Sequence, residues 1–196
     1  MANAEQSGQI FVVSAPSGAG KHTILKRVLM NDPKLTHSIS ATTRRPRAGE
    51  EHGREYYFLE RADFEQRLAA GEFAESAEVH GNLYGTLRSE LDRIGSSGKD
   101  ALMELDVQGM RNVKGLGIDA VTVFIMAPSL EELEQRLRAR ATDSEDVIAV
   151  RLKNAIKEIA ARREYDHVIV NVDIRDAVTE LEAIIKAARE RAACAK

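Results

Sequence analysis

The first place in this sequence where chemistry could be done is a lysine that follows a run of small residues, just after an apolar segment. Ser14-Ala15-Pro16-Ser17-Gly18-Ala19-Gly20-Lys21-His22-Thr23 has the residue types that hold phosphate. Small side chains let consecutive backbone N–H groups turn inward around phosphate oxygens. The N-terminus of a following helix adds a favourable field, and Lys21 supplies a point charge for β- and γ-phosphates. The strict pattern G-x-x-x-x-G-K-[ST] is broken twice. Ala15 replaces the first glycine, which keeps the position and the turn. His22 stands where a hydroxyl would ligate Mg2+, a cation that takes oxygen ligands. That role passes to Thr23 or water, or the nucleotide phosphates hold the ion themselves. The plainer alternative is a glycine-rich strand–helix turn with an exposed lysine.

A second group of candidates lies in Ser40-Ala41-Thr42-Thr43-Arg44-Arg45-Pro46-Arg47-Ala48-Gly49-Glu50, followed by His52-Gly53-Arg54-Glu55-Tyr56-Tyr57-Phe58. Pro46 prevents a regular helix here, so Arg44 and Arg47 project from an irregular loop. Two guanidinium groups this close repel unless an anion neutralises them, and arginine suits bidentate phosphate contacts. In isolation the same loop reads as solvated basic surface. Arg136 and Arg140 are four apart and share a helix face, with Arg151 on the next helix; alone, they too read as solvated surface. Taken singly, Glu75 is a surface carboxylate, Asp106 a strand-end cap, and Tyr56 and Tyr84 core packing. No Ser/His/Asp or Cys/His set points to a protein nucleophile.

These groups need elements to position them. Ile10-Phe11-Val12-Val13 reads as a buried strand ahead of a helix from about His22 to Met30. Further strand candidates are Ala101–Leu105, Val121–Met126 and Val168–Val170. Helical patterns separate them, one over Leu130–Arg140 opened by the capping pair Ser129 and Glu132, one over Val147–Arg163, and one from about Arg175. Alternating strands and helices predict a three-layer α/β fold with a mainly parallel sheet. Ser40 to Asn82 departs from this, with aromatics, glycines and short strand-like pieces that suit a small mixed insertion.

Composition narrows the setting. A 196-residue chain with 43% hydrophobic and 30% charged residues is an ordinary globular domain, and a net charge of -3 gives no basic footprint for nucleic acid. The lone Cys194 excludes an internal disulfide. No apolar run approaches the ~20 residues needed to span a bilayer, and the polar start lacks a signal-peptide pattern. A cytoplasmic protein without membrane, nucleic-acid or obligate protein partners is the expectation.

The phosphate loop and the arginine block together resemble the guanylate kinase family. Glu72-Phe73-Ala74-Glu75, Gly81-Asn82-Leu83-Tyr84-Gly85-Thr86, Glu104-Leu105-Asp106-Val107-Gln108-Gly109, Arg136-Leu137-Arg138-Ala139-Arg140 and Val168-Ile169-Val170-Asn171 follow in family order. The likeness runs from about Ile10 to the C-terminal helix. It implies a P-loop NTPase core (1–40, 98–132 and 161–196), an inserted mixed α/β GMP-binding subdomain (41–97) and a small helical lid (133–160). It implies reversible transfer of a phosphoryl group from ATP to GMP or dGMP, in purine nucleotide metabolism and GMP recycling, with Mg2+ accompanying ATP.

By the same resemblance, ATP lies along Ser14 to Thr23 and at Asn171. Arg44, Arg47, Tyr56 and Tyr84 grip the GMP phosphate, while Ser40, Glu75, Thr86 and Asp106 read guanine. Lys21, Arg44, Arg136, Arg140 and Arg151 carry the transfer, with Thr23 and Glu104 as oxygen donors toward Mg2+. Glu104 occupies a place where many relatives have Asp, and Ala141 one where glycine is frequent. A non-catalytic guanylate-kinase-like binding module is the rival. It usually degrades the phosphate loop and lid arginines, which this chain keeps.

Overall fold

Phe11, Val12 and Val13 are fully buried, as a strand covered on both faces requires. In the computed structural model, which describes residues 8–79, 81–139 and 144–194, they form β1 (Ile10–Ser14). α1 (Lys21–Asn31) begins one residue earlier than the hydrophobic pattern predicts. The chain continues through β2 (Leu35–His37), β3 (Ala41–Thr42), β4 (Tyr57–Phe58), α2 (Arg61–Ala69), β5 (Phe73–Val79), β6 (Asn82–Leu87) and α3 (Arg88–Ser96). β7 (Asp100–Glu104), α4 (Val107–Gly115), β8 (Val121–Met126), α5 (Leu130–Arg138), α6 (Glu145–Ala160), β9 (His167–Val170) and α7 (Ile174–Cys194) complete it. α6 runs on into a 3-10 turn, Ala161–Glu164. One sheet has the strand order β2-β7-β1-β8-β9, the other β4-β3-β6-β5.

The chain divides into two compact units, Met1–Ile10 with Lys34–Ala120, and Phe11–Pro33 with Val121–Lys196. In the second, β1 pairs parallel with β8 (Val13 opposite Val123) and β8 with β9 (Ile125 opposite Ile169). α5 starts where the capping pair predicts: the Ser129 hydroxyl accepts the Glu132 N–H at 3.1 Å. Leu133 and Leu137, one turn apart on α5, are buried with Ala19, Ala127 and Ala155. The apolar stripe of α5 thus packs on a residue of the phosphate loop itself.

In the first unit β2 pairs parallel with β7, and the second sheet is mixed. β3 and β4 are parallel; β3 with β6 and β5 with β6 are antiparallel. Its core is Ala41, Phe64, Phe73, Leu83 and Leu87, with the Phe64 and Phe73 rings stacked at 4.3 Å. The register of β5 on β6 shifts between Phe73 and Glu75, so Phe73 opposes Leu87 while Glu75 opposes Thr86. In an unbroken strand Glu75 would share the core face with Phe73. The extra residue at Ala74 turns it to the face of Thr86 and Tyr84 instead.

Gly85 sits where β5 and β6 close on each other. A methyl group there would stand 2.6 Å from the Glu75 carbonyl oxygen and 2.7 Å from the Phe73 ring. Backbone cannot yield as a flexible side chain can, so Gly85→Ala should overpack the sheet by ~1–3 kcal/mol and lower Tm by roughly 3–10 °C. A melting curve decides it; an unchanged Tm would contradict this strand register.

Candidate functional site

The phosphate-loop residues of the Phe11–Pro33 unit are shaped by two left-handed glycines, Gly18 and Gly20, both at φ 91°. At Gly20 a side chain fails twice over, because a Cβ there would also lie 2.4 Å from Asn171 Nδ2. Asn171 is the clasp. It is 1% exposed, its amide donates to the Ala19 carbonyl at 2.8 Å, and its own carbonyl accepts from Arg136 at 3.1 Å. Its Oδ1 is buried without a hydrogen-bond partner among the described residues, as is the Ser14 hydroxyl.

Gly20 caps α1 without a side-chain hydrogen bond. The first-turn N–H groups therefore lack the competing oxygen that a Ser or Asp cap would bring, which suits them to an anion. Pro16 and Ala19 are buried and Ala15 is half-buried, so the loop is fixed from below, while Ser17 is exposed. Lys21 is half-buried; His22 and Thr23 are exposed. Arg151 donates to the Ser17 hydroxyl at 3.2 Å. Arg136 is steered by Glu132, 2.9 Å from its Nε. A cavity of about 540 Å3 opens beside Gly20, Arg27, Arg136 and Asn171, with Asp173 and Arg175 on its wall, a size that suits a small organic group. Arg140 and Ala141 lie outside the described residues.

The Lys34–Ala120 unit gathers the other candidates. Arg44 is held by Glu50 at 2.9 Å, lies over the rings of Tyr56 at 5.4 Å and Phe58 at 5.9 Å, and has its charge favoured by Glu50 first and by Tyr84 nearby. Tyr56 and Tyr84 meet edge to face at 6.1 Å. Glu50 also accepts the Arg47 N–H at 2.8 Å. The anion that two close arginines demand is therefore supplied from within the same loop, and the Arg44 guanidinium holds the Glu50 carboxyl below the usual carboxylate range. Glu50 stood in the arginine block, but no residue spacing distinguished it from its neighbours.

Glu75 is 5% exposed and takes a hydrogen bond from the Thr86 hydroxyl at 2.9 Å. Burial pushes its carboxyl up to about 7; the Thr86 bond opposes that and the nearby Asp106 charge adds to it. Asp106 is exposed and does cap a helix, accepting the Gly109 N–H at 2.7 Å at the start of α4. A Cβ on Gly109 would sit 3.4 Å from both the Asp106 and the Glu75 carboxylates, so the missing side chain keeps the space beside the pair open. Ser40 is half-buried, and its carbonyl accepts the Tyr57 N–H at 2.9 Å.

Of the oxygen donors, Thr23 belongs to the phosphate-loop unit and Glu104 to this one. Glu104, at the end of β7, lies 3.2 Å from His37 Nε2. No cluster of three His, Cys, Asp or Glu side chains that could hold a metal occurs among the described residues. Hard oxygens suited to Mg2+ are present all the same, in a hydroxyl and a carboxylate. No helix among the described residues is long and apolar enough to cross a membrane.

The family model described as guanylate kinase matches residues 7–188. A guanylate kinase of Geobacter metallireducens is 46% identical over 187 residues, 95% of this chain and 92% of its own. One from Bordetella pertussis is 49% identical, covering 94% of this chain and 86% of its own. Among solved structures, guanylate kinase from Anaplasma phagocytophilum is similar with a TM-score of 0.70 at 37% identity, over 93% of this chain and 87% of that one.

The raised Glu75 value has a sign that stability can test. The folded carboxyl keeps its proton to about 7, whereas an unfolded one releases it near 4.3. The folded state thus binds more protons between those values, and stability falls as pH rises through that window. Glu75→Gln removes the charge and keeps an acceptor for Thr86. At pH 8 it should be more stable than the parent by roughly 3–4 kcal/mol, with the gain vanishing near pH 4. Melting curves across pH measure this; a pH-independent difference would contradict the raised value.

Proposed function

Because the chain belongs to the guanylate kinase family, whose reaction is ATP-dependent phosphorylation of GMP, we propose a division of labour between its two groups of residues. Ser14 to Thr23 with Asn171 take the donor nucleotide. Ser40, Arg44, Arg47, Tyr56, Glu75, Tyr84, Thr86 and Asp106 take the acceptor, within a subdomain spanning 41–97. Segment 133–160 acts as the lid. Supporting this reading above all is the buried Glu75 with Asp106 beside it. Guanine presents N1–H and N2–H2 donors that carboxylates accept, and an O6 that a hydroxyl can satisfy. Adenine lacks the N1–H and would leave a buried carboxylate unpaired.

The phosphate end follows the same logic. Arg44 is already seated on two aromatic rings and paired with Glu50, so an arriving phosphate meets a guanidinium that is in place. Tyr56, Tyr84 and Arg47 complete the grip. An acceptor phosphate oxygen attacks the γ-phosphorus of ATP as the bridging bond to the β-phosphate breaks, giving ADP and GDP. No protein nucleophile takes part; the protein aligns the groups, excludes water and offsets charge. Lys21 serves the β- and γ-phosphates, and Arg136, Arg140 and Arg151 the transferred group. Mg2+, when bound, shares the phosphate charge, with Thr23 and Glu104 as the protein oxygens that suit it. dGMP, which carries the same base and phosphate, is accepted too, less efficiently than GMP, as purine nucleotide metabolism and GMP recycling in the cytoplasm would use it.

A coupled assay with ATP and a panel of monophosphates tests the acceptor. GMP and dGMP should far exceed AMP, CMP and UMP in kcat/KM, and Glu75→Gln should cut the GMP/AMP ratio by roughly 10- to 100-fold. Equal use of GMP and AMP by the parent would end the reading. A second assay addresses the missing hydroxyl. His22→Ser restores an oxygen at the start of α1, so the Mg2+ concentration for half-maximal rate should fall severalfold. An unchanged requirement would mean that Thr23, Glu104 or water already completes the ligand set.

A further inference from the structure

The most completely buried carboxylate of the Lys34–Ala120 unit plays no part in the chemistry above. Glu90, on the first turn of α3, is 2% exposed and accepts four hydrogen bonds, two at each oxygen. Oε1 takes the Ile39 N–H at 3.0 Å and Arg93 Nη2 at 2.8 Å; Oε2 takes the Tyr57 hydroxyl at 2.9 Å and Arg93 Nε at 2.8 Å. Each of the distant donors sits next to a residue assigned to the acceptor. Ile39 immediately precedes Ser40, and Tyr57 immediately follows Tyr56. The Tyr57 N–H closes the circuit by donating to the Ser40 carbonyl at 2.9 Å.

We propose that Glu90 is a positioning residue for the acceptor nucleotide, its carboxylate bracing the backbone before Ser40 and the strand that directly follows Tyr56 against α3. The inference rests on Ser40 and Tyr56 contacting GMP. Arg93 leaves Glu90 a permanent acceptor. Burial alone would push the carboxyl up, but the bonds from Arg93, Ile39 and Tyr57 outweigh it and hold it below the ordinary range. An ionised carboxylate can only accept, so it discriminates against every arrangement that would turn an acceptor toward it. The brace also spans far more sequence than any turn. It joins residues 51 positions apart at Ile39 and 33 apart at Tyr57, which short two-residue strands such as β3 and β4 cannot secure by themselves.

Steady-state kinetics of Glu90→Ala, Glu90→Gln and Tyr57→Phe, with Ser40→Ala alongside, test this. Losing a buried acceptor in Glu90→Ala should raise KM for GMP roughly tenfold, with KM for ATP unchanged. A merely structural loss would lower Tm and the active fraction without separating the two KM values. Glu90→Gln keeps an acceptor for the Ile39 N–H and should recover most of the affinity; Tyr57→Phe, which loses one strut, should cost roughly threefold. Folded Glu90→Ala with a normal KM for GMP, or with both KM values moving together, overturns the proposal. If Glu90→Ala does not fold, Tyr57→Phe decides by the same measure. Should Ser40→Ala itself leave KM for GMP untouched, the assignment of Ser40 to the acceptor fails first, a result distinct from a silent Glu90 beside a responsive Ser40.

Discussion

Keeping a carboxylate dry with a hydroxyl for a partner, rather than a cation, is the constraint around which the Lys34–Ala120 unit is arranged. Glu75 and Glu90 are both nearly inaccessible, yet their acidities move in opposite directions. Glu90 accepts four hydrogen bonds, two from the Arg93 guanidinium and one each from Ile39 and Tyr57, and is spent on structure. Glu75 has Thr86 on one oxygen, which leaves hydrogen-bonding capacity on its carboxylate. Such a group costs stability in the empty protein and recovers it when donors arrive. The bulge at Ala74, the close approach at Gly85 and the open space at Gly109 are the backbone conditions for holding it there.

The phosphate-loop unit solves a different problem, that of keeping a loop of N–H groups turned inward before any anion is bound. Its solution is steric. Asn171 fills the space that a side chain at Gly20 would need and hydrogen-bonds the loop at Ala19, while Leu133 and Leu137 crowd the space beside Gly18. The same Asn171 receives Arg136 on its carbonyl. The loop, the end of β9 and the arginine of α5 are thereby set by one buried residue, through its side-chain amide and its main-chain carbonyl.

Much of this was legible in the sequence because it is local. A run such as Phe11-Val12-Val13 declares a buried strand, Ser129 with Glu132 declares a helix start, and the small residues before Lys21 declare a phosphate loop. The structure places each of these within a residue or two of where the pattern predicts. The arginines, tyrosines and carboxylates of the acceptor were named through family resemblance, and the unit does gather Arg44, Tyr56 and Tyr84. What stayed hidden depends on contacts distant in sequence or on a change of strand phase. Period-two alternation puts Glu75 in the core beside Phe73; one extra residue at Ala74 reverses that, and nothing in Phe73-Ala74-Glu75 announces it. Nothing in the sequence marks Glu90, because its donors, Ile39 and Tyr57, come from two other segments.

Glu50 shows why such hidden partners matter to binding. An arginine pair awaiting a phosphate would repel and fray the loop that carries it, and a solvated one would have to be ordered when substrate arrives. With Glu50 on Arg44 and on the Arg47 N–H, the loop keeps its shape without substrate. The Tyr56 and Phe58 rings beneath it attract the guanidinium independently of that carboxylate. A phosphate can then compete for the guanidinium through its remaining donors, of which arginine has five, without the side chain being rebuilt. Both side chains of this pair keep some contact with water, at 16% and 18% exposure, so a phosphate can reach the guanidinium without the pair being unpacked. Glu90 could not give up its partner in this way, because its side chain is 1% exposed although Arg93 is 53% exposed, and losing Arg93 would leave a buried charge uncompensated. The carboxylates of one small unit are thus sorted by their partners: Glu90 is held at both oxygens, Glu75 has a hydroxyl, and Glu50 has an arginine.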